Sequence, residues 1–310
     1  MIKVIDLDKG MDKYPASVVG LGNFDGIHIG HREIMKKVIE VAKDKNMVSS
    51  VLLFKQHTNE VFPKMPRFYL SDIKDKIDIL EKLGIEQVFI IDFTMEFAQL
   101  TNEEFILDFI RDKLNGQILV CGVDYTYGRF AKGTVKELYE FQEQKSIKVE
   151  VVEPRFYKNH KASSTTVRGL IREGNVEEAQ KLLVDFYSVR GVVEHGFKRG
   201  SKQLGFPTAN LKFNFNYIIP AEAVYLTRNT IDGKTYYSLT SIGTNPTFTD
   251  DKALKFEVFI IDYEGDLYGS EVKVEFLKKV RDQIKFTCSD DLIDQMNKDL
   301  EFAREFIKTL

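Results

Sequence analysis

The chain has 310 residues, about two domains' worth at roughly 100–200 residues per domain. Hydrophobic residues at 43% and charged residues at 29% supply two ordinary cores and exclude an intrinsically disordered chain. A net charge of −3, with no strongly basic half, argues against an obligate nucleic-acid partner or a polybasic membrane surface. Cys121 and Cys288 are far apart, lack metal-ligand spacing, and read as isolated thiols in a reducing compartment. The start, Met1 to Pro15, has neither the basic nor the apolar region of a signal peptide, and no run of about 18 apolar residues could span a bilayer. A cytoplasmic protein without a membrane partner is expected.

In chain order, Ala16 to Leu21 reads as a buried strand. His31 to Lys45 carries Ile34, Val38, Val41 and Ala42 at helical spacing. Val48 to Phe54 is a second strand, Lys74 to Leu83 a helix closed by Gly84, and Gln87 to Asp92 a third strand. Thr101 and Glu104 form a capping pattern that opens a helix to Leu114. Gln117 to Cys121 and Lys148 to Val152 complete the strands. Such alternation predicts parallel pairing. After Val184 the rhythm changes to short strands at Ser188–Glu194, Ala223–Thr227, Thr235–Leu239, Lys255–Ile261 and Glu271–Phe276, punctuated by turns, with a last helix from Ser289 to Lys308. The expectation is an α/β protein: a doubly wound parallel-sheet domain over 1–184, then a small antiparallel β-barrel domain with a terminal helix over 185–310.

Gly22-Asn-Phe-Asp-Gly-Ile-His-Ile-Gly-His31 lies between the first strand and the first helix, where open α/β sheets bind ligands. A helix N-terminus attracts phosphate, His28 and His31 at i, i+3 spacing share one side of its first turn, and Gly22 and Gly30 admit a close ligand. Spacing alone leaves phosphate binding and a solvated helix start equally open. The full H-x-G-H after G-x-F-D-G resembles the nucleotidyltransferase superfamily, and the block is similar to the adenylyltransferase module of bacterial FAD synthetases. Two later segments agree. Val120-Cys-Gly-Val-Asp-Tyr-Thr-Tyr-Gly128 resembles that family's G-x-D-F-x-F-G segment, and Ser163-Ser-Thr-Thr-Val-Arg168 its S-S-T-x-I-R. The resemblance implies ATP and phosphate contacts from Asp25, Ser164 and Thr165 besides Gly22 and Gly30, catalytic roles for His28, His31 and Arg168, and flavin contacts from Phe54, His57, Asp124, Tyr125 and Tyr127. Departures are the missing prolines of T-F-x-P-H-P at Leu53-Phe-Lys-Gln-His-Thr58, and Tyr125 and Tyr127 where Phe is usual.

Gly196-Phe-Lys-Arg-Gly-Ser-Lys-Gln-Leu-Gly-Phe-Pro-Thr-Ala-Asn-Leu211 resembles the riboflavin kinase signature. Thr208 and Asn210 offer hard oxygens for Mg²⁺ on a nucleotide, and Gly196, Lys198, Arg199 and Lys202 suit its phosphates. Leu254-Lys-Phe-Glu-Val-Phe259 resembles the family's I-E-V-H-I strand, which implies Glu257 as catalytic base; Phe259 stands where the family has His. The resemblance therefore implies a bifunctional riboflavin kinase/FMN adenylyltransferase that uses ATP with Mg²⁺ and takes riboflavin and FMN as substrates. Two other readings stay open: a kinase whose first domain is weak or uses another acceptor, and a non-catalytic flavin-binding regulator.

Overall fold

A computed structural model describes residues 1–10, 13–56, 68–145, 147–194, 208–231, 233–244 and 254–310. It divides into two compact units, Met1–Arg67 with Ser71–Ser164, and Phe68–Leu70 with Thr165–Leu310.

The first unit contains β1 (Lys3–Asp6), β2 (Ser17–Gly20), α1 (Ile29–Lys45), β3 (Val48–Phe54), α2 (Ile73–Leu83) and β4 (Gln87–Ile91). A helical segment, Glu104–Lys113, precedes β5 (Gly116–Gly122). Next come a hairpin of β6 (Thr126–Tyr127) and β7 (Gly133–Thr134), α3 (Val135–Lys145), β8 (Lys148–Val152) and a hairpin of β9 (Phe156–Tyr157) and β10 (His160–Lys161). The large strands form one sheet in the order β1-β4-β3-β2-β5-β8, parallel throughout. Neighbouring side chains in these strands enter opposite cores, as the two-residue repeat dictates. Val18, Val51, Leu53, Val88 and Val120 pack on the α1–α2 face, while Val19, Leu52, Phe89 and Leu119 pack on the other. Near-continuous apolar strands follow from having both faces covered. The sheet runs outward from β2 through β3 and β4, then restarts at β5 on the opposite side of β2. The reversal point therefore lies between β2 and β5.

Helix α1 buries Ile34, Val38 and Ala42 of the expected stripe and Met35 besides, with Val41 partly buried, and ends on Asn46 at φ 52°. Asp72 caps α2 by accepting from Asp75 N–H at 2.7 Å, and Gly84 closes it at φ 92°. The Thr101–Glu104 capping box is present in both directions, at 2.7 and 3.2 Å. Beyond it the chain winds as a π-helix rather than an α-helix, with Leu114 N–H donating to Phe109 O. Phe105, Ile106, Leu107, Phe109 and Ile110 are all buried there, a wider apolar face than the helical spacing predicts. Strand β1 was outside the expected set because four half-exposed edge residues carry almost no pattern.

The second unit begins within α4 (Ser164–Arg172) and continues through α5 (Val176–Leu183), β11 (Ser188–Glu194), β12 (Ala209–Lys212), β13 (Ala223–Ile231), β14 (Lys234–Thr244), β15 (Leu254–Ile260), β16 (Glu271–Asp282) and α6 (Ser289–Ile307). The strands close an antiparallel barrel in the order β11-β12-β15-β14-β13-β16. Alternation sends Tyr225, Phe256, Val258, Val274 and Phe276 to the inside. Val224, Leu226, Leu239 and Leu277 meet Leu300, Ala303 and Phe306 of α6. Each such fully buried aliphatic or Phe side chain is worth roughly 1.5–3 kcal/mol. Arg281 clamps α6 through Asp299, which is 4% exposed, at 2.8–3.0 Å. Losing either partner would leave a buried charge unpaired.

Candidate functional site

Both halves of the first motif set converge at the reversal point of the sheet. The segment after β2 supplies Gly22 to His31, and the segment after β5 supplies Asp124 to Tyr127. Ligands bind at such a point, outside the C-terminal ends of the strands. The loop is held in an uncommon conformation: Phe24 (φ 47°), Gly26 (φ 82°) and Ile27 (φ 39°) are left-handed. Strain of this kind costs about 1–3 kcal/mol per non-glycine residue and needs outside support. Support comes from burial, since Phe24 and Ile27 are fully enclosed, and from long-range bonds. Gly26 N–H donates to Ser71 Oγ at 2.9 Å, Ser71 N–H donates to Asp25 Oδ1 at 3.2 Å, and Lys76 Nζ donates to Asn23 O at 3.1 Å. Ser164 Oγ, opening α4, donates to Asp25 O at 2.8 Å. A Cβ on Gly22 would sit 2.9 Å from the Phe24 ring, so that glycine makes room for the ring.

His28 is the N-cap of α1. Its Nδ1 accepts from Gly30 N–H at 3.2 Å and His31 N–H at 3.4 Å. Those two N–H groups are therefore not free for phosphate, contrary to the expectation from an open helix start. The tautomer follows: with Nδ1 accepting, a neutral His28 carries its proton on Nε2 and offers it as a donor. The His31 ring stacks on His28 at 3.8 Å between centroids and meets the Phe24 edge at 5.2 Å. His31 Nδ1 is buried without a hydrogen-bond partner. An unmet buried polar atom of this kind is costly. Burial pushes His28 down to about 4, and burial, then His28 and Lys76, hold His31 well below its ordinary value. The pair is neutral at pH 7 in the free protein. Neither imidazole C–H resonance is expected to titrate between pH 8 and 5.5 in NMR without nucleotide; a midpoint near 6.5 for either would contradict this burial.

Asp124 is exposed and pairs with Lys161 at 2.7 Å, which lowers its carboxyl below the usual range. Tyr125 stacks on Tyr127 at 5.8 Å, and Tyr127 packs against Phe105 in the core. Phe54, ending β3, joins the same cluster, so these aromatics share one core. Thr165 and Arg168 follow Ser164 on α4, and Arg168 shares a helix face with Ser164 at i, i+4. His57 and the basic-loop residues Gly196, Lys198, Arg199 and Lys202 lie outside the described residues.

In the barrel, Asn210 on β12 stands directly opposite Glu257 on β15. Thr208 immediately precedes that strand, two residues before Asn210. Burial raises the Glu257 carboxyl above its ordinary value, opposed by Lys255. A half-buried carboxylate with a raised pKa beside hydroxyl and amide oxygens is suited to accepting a proton.

Residues 11–166 match the family model described as FAD synthetase, and residues 183–307 that described as riboflavin kinase. A bifunctional riboflavin kinase/FMN adenylyltransferase of Listeria monocytogenes is 35% identical over 295 residues, 94% of this chain and 93% of its own. This chain belongs to the bifunctional riboflavin kinase/FMN adenylyltransferase family. The similarly described protein of Bacillus subtilis is 34% identical, covering 95% of this chain and 93% of its own. The crystal structure of a Streptococcus pneumoniae protein described as a macrolide-efflux protein superposes with a TM-score of 0.86. It is 34% identical and covers 98% of this chain and 99% of that one. Among the described residues, no helix is long and apolar enough to cross a membrane.

The two described residues that follow β3 are anchored at long range. Lys55 Nζ pairs with Asp6 and Asp8, both at 2.8 Å, and Gln56 Nε2 donates to Phe93 O at 3.2 Å. Lys55, Lys76, Ser71 and Lys161 are all absent from the residues singled out by sequence. Each acts through a contact tens of positions away, and no local pattern marks it.

Proposed function

We propose that the chain phosphorylates the 5′-hydroxyl of riboflavin to give FMN in the barrel unit, and transfers an adenylyl group from ATP to FMN in the parallel-sheet unit, giving FAD and pyrophosphate. The functional partition we assign is 1–184 for adenylyl transfer and 185–310 for the kinase. The observation that carries the reading is that the two family matches fall on separate segments. Each segment holds a residue set suited to its own nucleophile.

In adenylyl transfer the FMN phosphate is already an anion when it attacks the α-phosphorus. No base is required, and the task is to hold two anions in line while stabilising spreading charge. Neutral His28 donates through Nε2, and His31 Nδ1 gains the partner it lacks. Arg168, Ser164 and Thr165 are assigned to the phosphates, Gly22, Asp25 and Gly30 to shaping the ATP side. Phe54, His57, Asp124, Tyr125 and Tyr127 are assigned to the flavin.

In the kinase the nucleophile is a neutral alcohol, and Glu257 accepts its proton as oxygen bonds to the γ-phosphorus and ADP leaves. Thr208 and Asn210 fit Mg²⁺, because hydroxyl and amide oxygens are hard donors and this ion is commonly held by few protein ligands plus phosphates. Among the described residues, no group of three His, Cys, Asp or Glu could hold a metal alone. Mg²⁺, when bound, would neutralise phosphate charge, and Gly196, Lys198, Arg199 and Lys202 are assigned to the same phosphates on their sequence. Free thiols at Cys121 and Cys288 suit the reducing cytoplasm. Supplying riboflavin and Mg-ATP to the purified protein and separating the products tests the proposal. FMN followed by FAD is expected, and FMN alone would limit the chain to the kinase.

A further inference from the structure

The pairing register of the barrel draws one row of side chains across neighbouring strands. Asn210 opposes Glu257, Glu257 opposes Ser241 on β14, and Ser241 opposes Val224 on β13. Directly opposed residues share a face, with Cα atoms about 4.5–5.5 Å apart. Phe256, Val258, Thr240 and Ile242 are buried on the alternate face, so this row lies outside the barrel. Next to it, Leu239 and Phe259 belong to the cluster packed on α6. Glu257 and Ser241 therefore stand side by side, half-buried, at the border of an apolar cover.

Ser241 is not a plain surface hydroxyl. Gln283 Nε2 donates to its Oγ at 3.0 Å and to Ile242 O at 2.8 Å, with Ala223 O at 3.4 Å. The Gln283 amide is thereby fixed across two strands. A Cβ at position 243 would lie 3.0 Å from that nitrogen, so Gly243 leaves the amide its place. Because Gln283 fills the acceptor side of Ser241 Oγ, the serine proton must point elsewhere. Of its two cross-strand neighbours on this face, Val224 has no acceptor and Glu257 does. Yet Gln283 is the hydrogen-bond partner of Ser241 Oγ among the described residues, and Glu257 accepts from none of them. A donor and an acceptor thus face one another across one strand spacing without closing together. An alcohol placed between them would give its proton to one side and receive one from the other.

We propose that Ser241 is a substrate-orienting residue of the kinase site. Its hydroxyl, aimed by Gln283, donates to the riboflavin 5′ oxygen while Glu257 accepts that oxygen's proton. In the step, the 5′ oxygen bonds to the γ-phosphorus and the bond to the β,γ-bridging oxygen breaks. The alcohol proton passes to Glu257, and the serine keeps its own. The inference rests on Glu257 as the proton acceptor and adds what holds the nucleophile.

The test uses the full chain with Ser241→Ala, Ser241→Thr and Glu257→Gln, assaying riboflavin phosphorylation and FMN adenylylation separately. Ser241→Ala is expected to lower kinase kcat roughly 10- to 100-fold, the usual scale for a misplaced reacting group, and to raise KM for riboflavin. Ser241→Thr, which retains a hydroxyl, is expected to restore most of kcat. Adenylylation of supplied FMN should be unchanged in both, which reports on folding. A merely structural serine would lower the melting temperature without splitting kcat from KM. Parental kcat and KM in Ser241→Ala would overturn the proposal. An active Glu257→Gln beside an impaired Ser241→Ala would remove the base assignment and leave the orienting role standing, so the two failures are distinct.

Discussion

Replacing Glu257 by Gln is expected to cut FMN formation from riboflavin by about 10²–10⁴-fold while FAD formation from supplied FMN continues. Gln is nearly isosteric, so strand β15 and the α6 cover lose little packing. What is lost is proton acceptance, which the alcohol needs and the FMN phosphate does not. The pH dependence follows with a definite sign. A carboxyl raised by burial must still be ionised to act as base, so kinase activity falls as pH drops through that raised value. The acid limb of kcat should accordingly lie above the ordinary glutamate range in the parent protein and be missing from the variant. Kinase activity within a few-fold of the parent would remove Glu257 from this role.

Replacing His28 by Asn is expected to lower FAD formation from FMN by about 10²–10³-fold, the usual effect of removing one preorganised donor to transition-state charge. FMN should accumulate instead. The substitution is chosen because His28 performs two tasks. Its Nδ1 caps α1, and its Nε2 carries the proton that the proposed mechanism assigns to the substrate. Asn is among the best N-caps, so it keeps the first task at a cost below about 1 kcal/mol, while its short side chain abandons the second. His31→Ala is expected to give the same blockade, though it also empties space under Phe24. Unchanged FAD output from His28→Asn would place the adenylyl site elsewhere.

Much of this was legible before any coordinates. Val18–Val19 and Leu52–Leu53 are apolar on consecutive positions, the mark of strands covered on both faces. The change to short strands after Val184 announces the barrel. Both motif segments of the first domain end up at one reversal point because each directly follows a strand. Other features had no sequence signal. A histidine is an unusual N-cap, and only the backbone at His28, φ −68° and ψ 173°, turns its Nδ1 onto the helix. Lys76 reaches Asn23 across 53 positions, and helix periodicity marks it merely as a polar residue. Helix α5 had no sequence reading of its own; its Val176, Ala179, Leu182 and Leu183 are buried in the compact unit that holds the barrel. Ser241 opens a segment that resembles the kinase family in sequence, but only the register sets it beside Glu257, and its partner Gln283 is 42 positions away.

The central claim is that two separable sites act in sequence through free FMN. Its most direct test mixes purified Glu257→Gln with purified His28→Asn in riboflavin and Mg-ATP. Neither variant alone should make FAD from riboflavin. Together they should, because FMN released by the kinase-competent protein is adenylylated by the other. A mixture of two folded variants that still forms no FAD, although each retains its own half-reaction, would contradict exchange of FMN between independent sites.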